Sequence, residues 1–328
     1  MAVRLGSREN FLKKHVKAEM ALLCGSTIVL CSSAALAHGP AFHDSIGLWT
    51  AWQADPLVVF PLLASGWLFI IGARHLHQRL GRLLPGFGLR QILCFFAGNV
   101  LLIIALLSPL EALSGVLLSA HMVQHILLIA VAPPLLVLGK PEVAWLWSLP
   151  ERWRRGATRS RPFRAVVALS PCARPVPAAL IHMGTLWLWH SPTLFDAAVA
   201  SDGLHWLEHL LFFGTALLFW RAVIRAHSGR EAAAAALIAC FITLLQSGLL
   251  SALLSFAREA LYATPDTAAW GLTALEDQQL AGAIMSLPMC AIYLIAGLIM
   301  ALRLVTPSGM EQARRFPVAP SDLIKPSP

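Results

Sequence analysis

Seven apolar runs, most of them about twenty residues long, are separated by loops that hold nearly all the charge, and this pattern limits what the chain can fold into. The runs are Pro56–Ala73, Gln91–Ser108, Gly115–Leu138, Pro177–Trp189, Leu204–Ile224, Ala232–Phe256 and Gln279–Leu302. A helix of about 20 residues crosses a hydrocarbon core of roughly 30 Å. Inside lipid the backbone must satisfy its own hydrogen bonds, which leaves helices and closed barrels. Runs of this length point to helices, so the expected fold is an all-α polytopic membrane helix bundle with seven transmembrane helices. The fourth run is short on its apolar count and is expected to begin near Ala173. Pro133-Pro134 should kink the third run and Pro288 the last.

Composition agrees. Hydrophobic residues make up 57% of the chain and charged residues only 13%, against about 25% charged in soluble domains. A net charge of +8 would otherwise raise nucleic acid as a partner. Here the cations lie between spans, so they report topology and membrane lipid, with no nucleic acid implied. If the spans alternate, every Lys and Arg except Arg258 falls in loops on one side. The positive-inside rule makes that side cytoplasmic. The expected location is the plasma (inner) membrane of a bacterium, multi-pass, with a cytoplasmic C-terminus.

The ends of the chain read differently. Arg4, Arg8, Lys13, Lys14 and Lys17 precede an apolar stretch from Ala21 to Leu36, which closes on Ala35-Leu36-Ala37. That is the pattern of a secretory signal peptide cleaved after Ala37; an uncleaved signal-anchor helix is the alternative. Residues 38–305 form the membrane domain. Residues 306–328 are polar and proline-containing and are expected to be a disordered cytoplasmic tail. The loop Gly139–Arg174 is Arg-rich, with a short amphipathic helix expected at Val143–Trp153 in the interface. His75 and His77 are expected in a loop facing lipid headgroups, and Trp49, Trp52, Trp67, Trp187, Trp189 and Trp206 in an aromatic belt.

Two motifs stand out within this frame. HMVQH places His121 and His125 four residues apart, and HWLEH does the same for His205 and His209. Each pair shares one helix face, a single turn apart. Polar groups in a membrane span are costly and mark sites by default. In the alternating topology both pairs and His190 fall in the outer part of the bilayer, with His38 and His43 on the same side. A mature chain beginning at His38 would have an amino terminus and imidazole able to chelate together; a solvated leader is the plain alternative. Neutral imidazole suits copper, zinc, iron and nickel, and thioether beside it leans toward Cu(I). Met122, Met285 and Met289 are accessory metal candidates on that ground, or else core packing. Glu208 and Asp277 could orient imidazole protons from behind the ligands. The scattered cysteines form no CxxC, which removes thiolate relays and zinc fingers.

Four blocks in order, HMVQHILLIAVAPPLLVLGKP, WLWHSPTLFDAA, LHWLEHLLFF and DQQLAGAIMSLP, resemble the CtaG-type assembly factors of caa(3)-type cytochrome c oxidase. The likeness covers about Ala51 to Val305. It implies a seven-span, non-enzymatic protein that delivers copper to a cytochrome c oxidase subunit, with a histidine cluster facing the periplasm or cell exterior. The positions it carries over are His121, Gln124, His125, His190, His205, Glu208, His209, Asp277, Gln278 and Gln279. Met285 to Pro288 departs from the pattern, which bears on the kink of the last span. One copper per chain with two to four protein ligands is the expected state. The other readings are a b-type haem protein with axial histidines, a metal-free assembly scaffold whose histidines bond between helices, and a membrane zinc protease using H-x-x-E-H with Glu208 as base.

Overall fold

The computed structural model describes residues 50–80, 87–157, 172–226, 229–262 and 267–306. The leader, His38, His43, Trp49 and residues 307–328 lie outside the described residues. Those described are helical, without strands. Six helices are long and apolar enough to cross a membrane. They are α1 (Pro56–Leu80), α2 (Leu89–Leu107), a composite of α4 (Leu118–Ile126) and α5 (Ala132–Gly139), α10 (Asp202–Ile224), α11 (Arg230–Ser255) and α12 (Ala274–Val305). Short helices fill the connections: α3 (Pro109–Ser114), α6 (Pro141–Ser148), α7 (Glu151–Ala157) and α9 (Pro192–Val199).

The remaining helix, α8 (Pro175–Trp189), has 15 residues and a length of about 22 Å, less than a full hydrocarbon core. Its end follows from the sequence. Ser191 precedes Pro192, and the residue before a proline is pushed out of the helical region; Ser191 sits at φ −69, ψ 135. The break leaves His190 as the last turn's cap, with its ring at the level of the other imidazoles.

The helices enclose a ring. α4 packs on α12, α12 along α11, α11 on α8, α8 on α10, and α10 back on α5, while α1 and α2 flank α5 and α6 from outside. The larger apolar core lies within that ring and includes Phe212, Phe219, Trp220 and Tyr293. Met122, Met285 and Met289 belong to this core. A second core between α1, α2 and α5 is built on Phe69 and Phe95, whose rings stack 3.9 Å apart. Small residues set the closest approaches. A Cβ on Gly98 would meet the Leu136 side chain at 2.7 Å, and one on Gly282 would meet Ser255 Oγ at 2.5 Å. These glycines bring α2 onto α5 and α12 onto α11.

Pro133-Pro134 bends the helix in an unexpected way. Leu127–Val131 widens into a π-helical turn before the helix resumes at Ala132. Pro133 cannot donate to Ile129, four residues back. Trp220 of α10 supplies the missing donor, its Nε1–H reaching Ile129 O at 2.9 Å. The bend is therefore locked to α10 one turn beyond His125. Pro288, by contrast, lies inside α12 without ending it.

Other expectations are corrected. The amphipathic helix expected at Val143–Trp153 is two helices, α6 and α7, because Pro150 stops the first. His75 and His77 belong to the last turns of α1, which runs on to Leu80, and His75 Nδ1 bonds Trp147 O. Trp189 is buried in the core instead of standing in a belt. Trp220→Phe would strand the Ile129 carbonyl, and the protein should lose about 1–3 kcal/mol of stability; a lower thermal midpoint in detergent, at unchanged helix content, is the expected reading.

Candidate metal centre

The α4 pair is fixed by a bond from across the bundle. Leu117 stands at the N-cap of α4 without a capping side chain. Asp277 of α12 takes the role, its Oδ2 accepting from Leu118 N at 2.6 Å and its Oδ1 from Ser119 N at 3.1 Å. A carboxylate at a helix start satisfies orphan amides and meets the positive end of the helix dipole. Its neighbour Glu276 is occupied with its own helix, forming a capping box with Thr273. Asp277 thus orients the helix that carries His121 and His125, and its carboxylate is spent on backbone amides, not imidazoles. Gln278 and Gln279 likewise hold the segment after α11: Gln278 Oε1 accepts from Leu261 N at 2.7 Å, and Gln279 Nε2 donates to Ala257 O at 3.1 Å.

The imidazoles come together. His121 and His125 on α4 have ring centroids 4.2 Å apart, and His205 and His209 on α10 are 4.1 Å apart. Across the two helices His121 lies 5.5 Å from His205, and His125 lies 5.6 Å from His209. His190 reaches within 6.2 Å of His125 from the end of α8. Phe195 and Phe212 pack edge-on against His121 and His125. Three segments separated in sequence therefore deliver all five predicted histidines to one place.

Hydrogen bonding aims the rings. His190 Nδ1 donates to Leu186 O at 2.7 Å, which leaves Nε2 as a bare lone pair. Tyr262 fixes the same corner, its hydroxyl donating to His190 O at 2.9 Å. The His121 ring bonds the Ser114 backbone carbonyl, again leaving Nε2. The buried Nε2 atoms of His121, His125, His190 and His209 have no hydrogen-bond partner, and neither has either oxygen of Glu208. Glu208 is 0% exposed. Its Oε1 lies 3.8 Å from His125 Nε2, so it faces the imidazoles directly. Buried polar groups in proteins are normally paired, and a set of unpaired donors converging on one point has the chemistry of a cation site. Ligand atoms of His121, His125 and Glu208 all lie within 4.8 Å of one another.

Glu111 was not anticipated. It sits on α3, its Oε1 3.9 Å from His205 Nδ1, and it accepts a hydrogen bond from Gln124 Nε2. Gln124 also donates to Ala105 O at 2.8 Å, so its amide nitrogen joins α2, α3 and α4 and holds Glu111, while its Oε1 has no hydrogen-bond partner. The available signal was a single carboxylate between two apolar runs, ten residues before His121. Two further buried polar side chains lie elsewhere. His182 Nδ1 bonds Thr215 Oγ1 at 2.9 Å, deeper along α8. Gln246 bonds the adjacent Ser247 hydroxyl on its own helix and not a neighbouring one.

A family model described as cytochrome c oxidase caa3 assembly factor matches residues 67–306. No curated protein and no solved structure matches the chain.

Burial pushes the Glu111 carboxyl up from its usual 4.5 to about 7; the Gln124 hydrogen bond opposes this and the Asp55 charge adds to it. Such a group keeps its proton in the folded chain after the unfolded chain has lost it. The unfolded state then binds fewer protons between these two values, and the Glu111 contribution to stability falls as pH rises from about 4.5 to about 7. Glu111→Gln should flatten that part of the profile, read as thermal midpoint against pH. Separately, Asp277→Ala should cost about 1–3 kcal/mol by uncapping α4, seen as a lower thermal midpoint.

Proposed function

Because the chain belongs to the cytochrome c oxidase caa3 assembly factor family, we propose that its histidine cluster binds copper and passes it to an oxidase subunit in the same membrane. The observation that carries this reading is the group of His121, His125 and Glu208. All three are buried, their ligand atoms converge within 4.8 Å, and the facing atoms have no hydrogen-bond partners. Imidazole with carboxylate suits divalent first-row metals, and among these copper binds most tightly to a given site. The thioethers do not favour Cu(I) as strongly as the sequence alone suggests, since Met122, Met285 and Met289 are core residues. Copper here is cargo, bound by donors from three helices and released to a partner. The charge pattern of the loops supports an outward-facing cluster.

The geometry weighs against the alternatives. Histidines serving as interhelical hydrogen-bond glue would pair their ring nitrogens across helices, whereas the Nε2 atoms of His121, His125, His190 and His209 have no hydrogen-bond partner. A haem would need a slot between its axial imidazoles. The rings across α4 and α10 instead stand 5.5 and 5.6 Å apart and pack on Phe195 and Phe212. Zinc would accept the same donors, so metal identity is the property to measure.

The test is copper content after loading and desalting the detergent-purified chain. Wild type should retain copper in preference to zinc, and His121→Ala and Glu208→Gln should each lose most of it while keeping their helix content. In cells lacking the chromosomal copy, the same variants should lower assembled oxidase activity, and added copper should partly restore it. Copper retained at wild-type level in both variants would refute the reading.

A further inference from the structure

Five imidazoles and two carboxylates are more than one ion can use. A structural or catalytic first-row site takes four donors, seldom more than five or six, often with water among them. The donors also divide. His121 and His125 of α4 face Glu208, which is carried by α10, and His190 closes that group from α8. His205 of α10 adjoins Glu111, which is carried by α3 just before α4, and His209 lies beside His205 on α10. Each HxxxH pair therefore has a histidine that meets a carboxylate carried on another helix.

The two carboxylate–imidazole separations match. His125 Nε2 to Glu208 Oε1 is 3.8 Å, and His205 Nδ1 to Glu111 Oε1 is 3.9 Å. Both are too long for a hydrogen bond. Both fall near the roughly 3–4 Å that separates two donors on one ion with bonds of about 2.0–2.2 Å. The groups differ in access. Glu208 and His125 side chains are 1% and 3% exposed, while those of Glu111 and His205 are 19% and 23% exposed.

We infer that the cluster is a two-ion site. Its inner position is formed by His121, His125, His190 and Glu208. Its outer position is formed by His205 and Glu111, with His209 beside them on α10. This rests on the copper-binding reading and adds its stoichiometry and direction. The inner set offers four donors and little access to water, which suits retention. The outer pair offers two donors at the mouth and leaves room for a ligand from outside, which suits loading and hand-off. The two sets abut, since His121 and His205 are 5.5 Å apart and His125 and His209 are 5.6 Å apart by ring centroids. Two divalent ions held there lie within a few ångströms of each other, close enough to repel and for their unpaired electrons to couple. An ion arriving at one position then weakens retention at the other.

The experiment loads the full chain in detergent with Cu(II) sulfate, removes unbound metal on a desalting column, and records copper per chain and the electron paramagnetic resonance spectrum. Two coppers per chain are expected, with signal intensity below that of two isolated ions and a half-field transition from the coupled pair. Glu111→Gln, which alters a partly exposed side chain, should reduce the content to one copper, remove the half-field transition and restore an isolated-ion spectrum, at unchanged circular dichroism and elution volume. One copper per wild-type chain with a full-intensity isolated signal would overturn the two-ion site and leave the copper-binding reading standing. Two uncoupled coppers, or two coppers retained by Glu111→Gln, would also overturn it. No retained copper would overturn both.

Discussion

A polar atom removed from water must find a partner, and among the described residues the largest gathering of buried atoms without one is the histidine cluster. Trp220 covers the carbonyl that Pro133 cannot serve. Asp277 covers the first amides of α4, and Gln278 and Gln279 cover the strand of chain after α11. Gln246 Oε1, Trp270 Nε1 and the Tyr293 hydroxyl are also unpartnered, but the bare Nε2 atoms of four histidines and both oxygens of Glu208 are gathered in one place. Bound cations are the partners that the proposed copper reading gives them, because a cation pairs with lone pairs and needs no donor protons.

The scaffold serves this cluster through a few long-range bonds. α4 is only nine residues long and is tied at both ends, by Asp277 at its start and by the π turn and Trp220 beyond its finish. Gln124, on the same short helix, anchors Glu111 and the end of α2. α8 stops where Pro192 requires it, and Tyr262 holds the exposed carbonyl of His190. The histidines therefore sit on helices whose positions are fixed by groups outside the centre. Preorganisation of this kind keeps lone pairs convergent, as a site that must accept and release an ion requires.

Much of this was readable from the residues. The apolar runs located the six long helices, most ends within about three residues, since periodic burial and lipid length are local signals. α1 nevertheless runs on past Ala73 to Leu80, and α12 starts at Ala274, ahead of Gln279. The i, i+4 spacing of His121 with His125 and of His205 with His209 gave the shared faces, because helical geometry is also local. Less legible were features that depend on tertiary proximity. DQQ looked like a constellation around the imidazoles, but Asp277 and the two glutamines bind backbone groups that lie far off in sequence. Glu208 looked like support for a ring and instead faces the centre. Glu111 escaped notice because nothing local links Pro109–Ser114 to α10. The fourth apolar run showed its shortness in its composition, yet its end at His190 became meaningful only once the ring was placed among the others.

The central claim is that imidazoles from α4, α8 and α10, with Glu208, hold copper directly. X-ray absorption at the copper edge of the loaded, purified chain tests it most closely. The account predicts a first shell of nitrogen and oxygen at about 2.0 Å, with the outer-shell scattering of several imidazole rings. That scattering should weaken in Glu208→Gln and His190→Ala. A first shell dominated by sulfur at about 2.3 Å, or one lacking imidazole scattering, would contradict it.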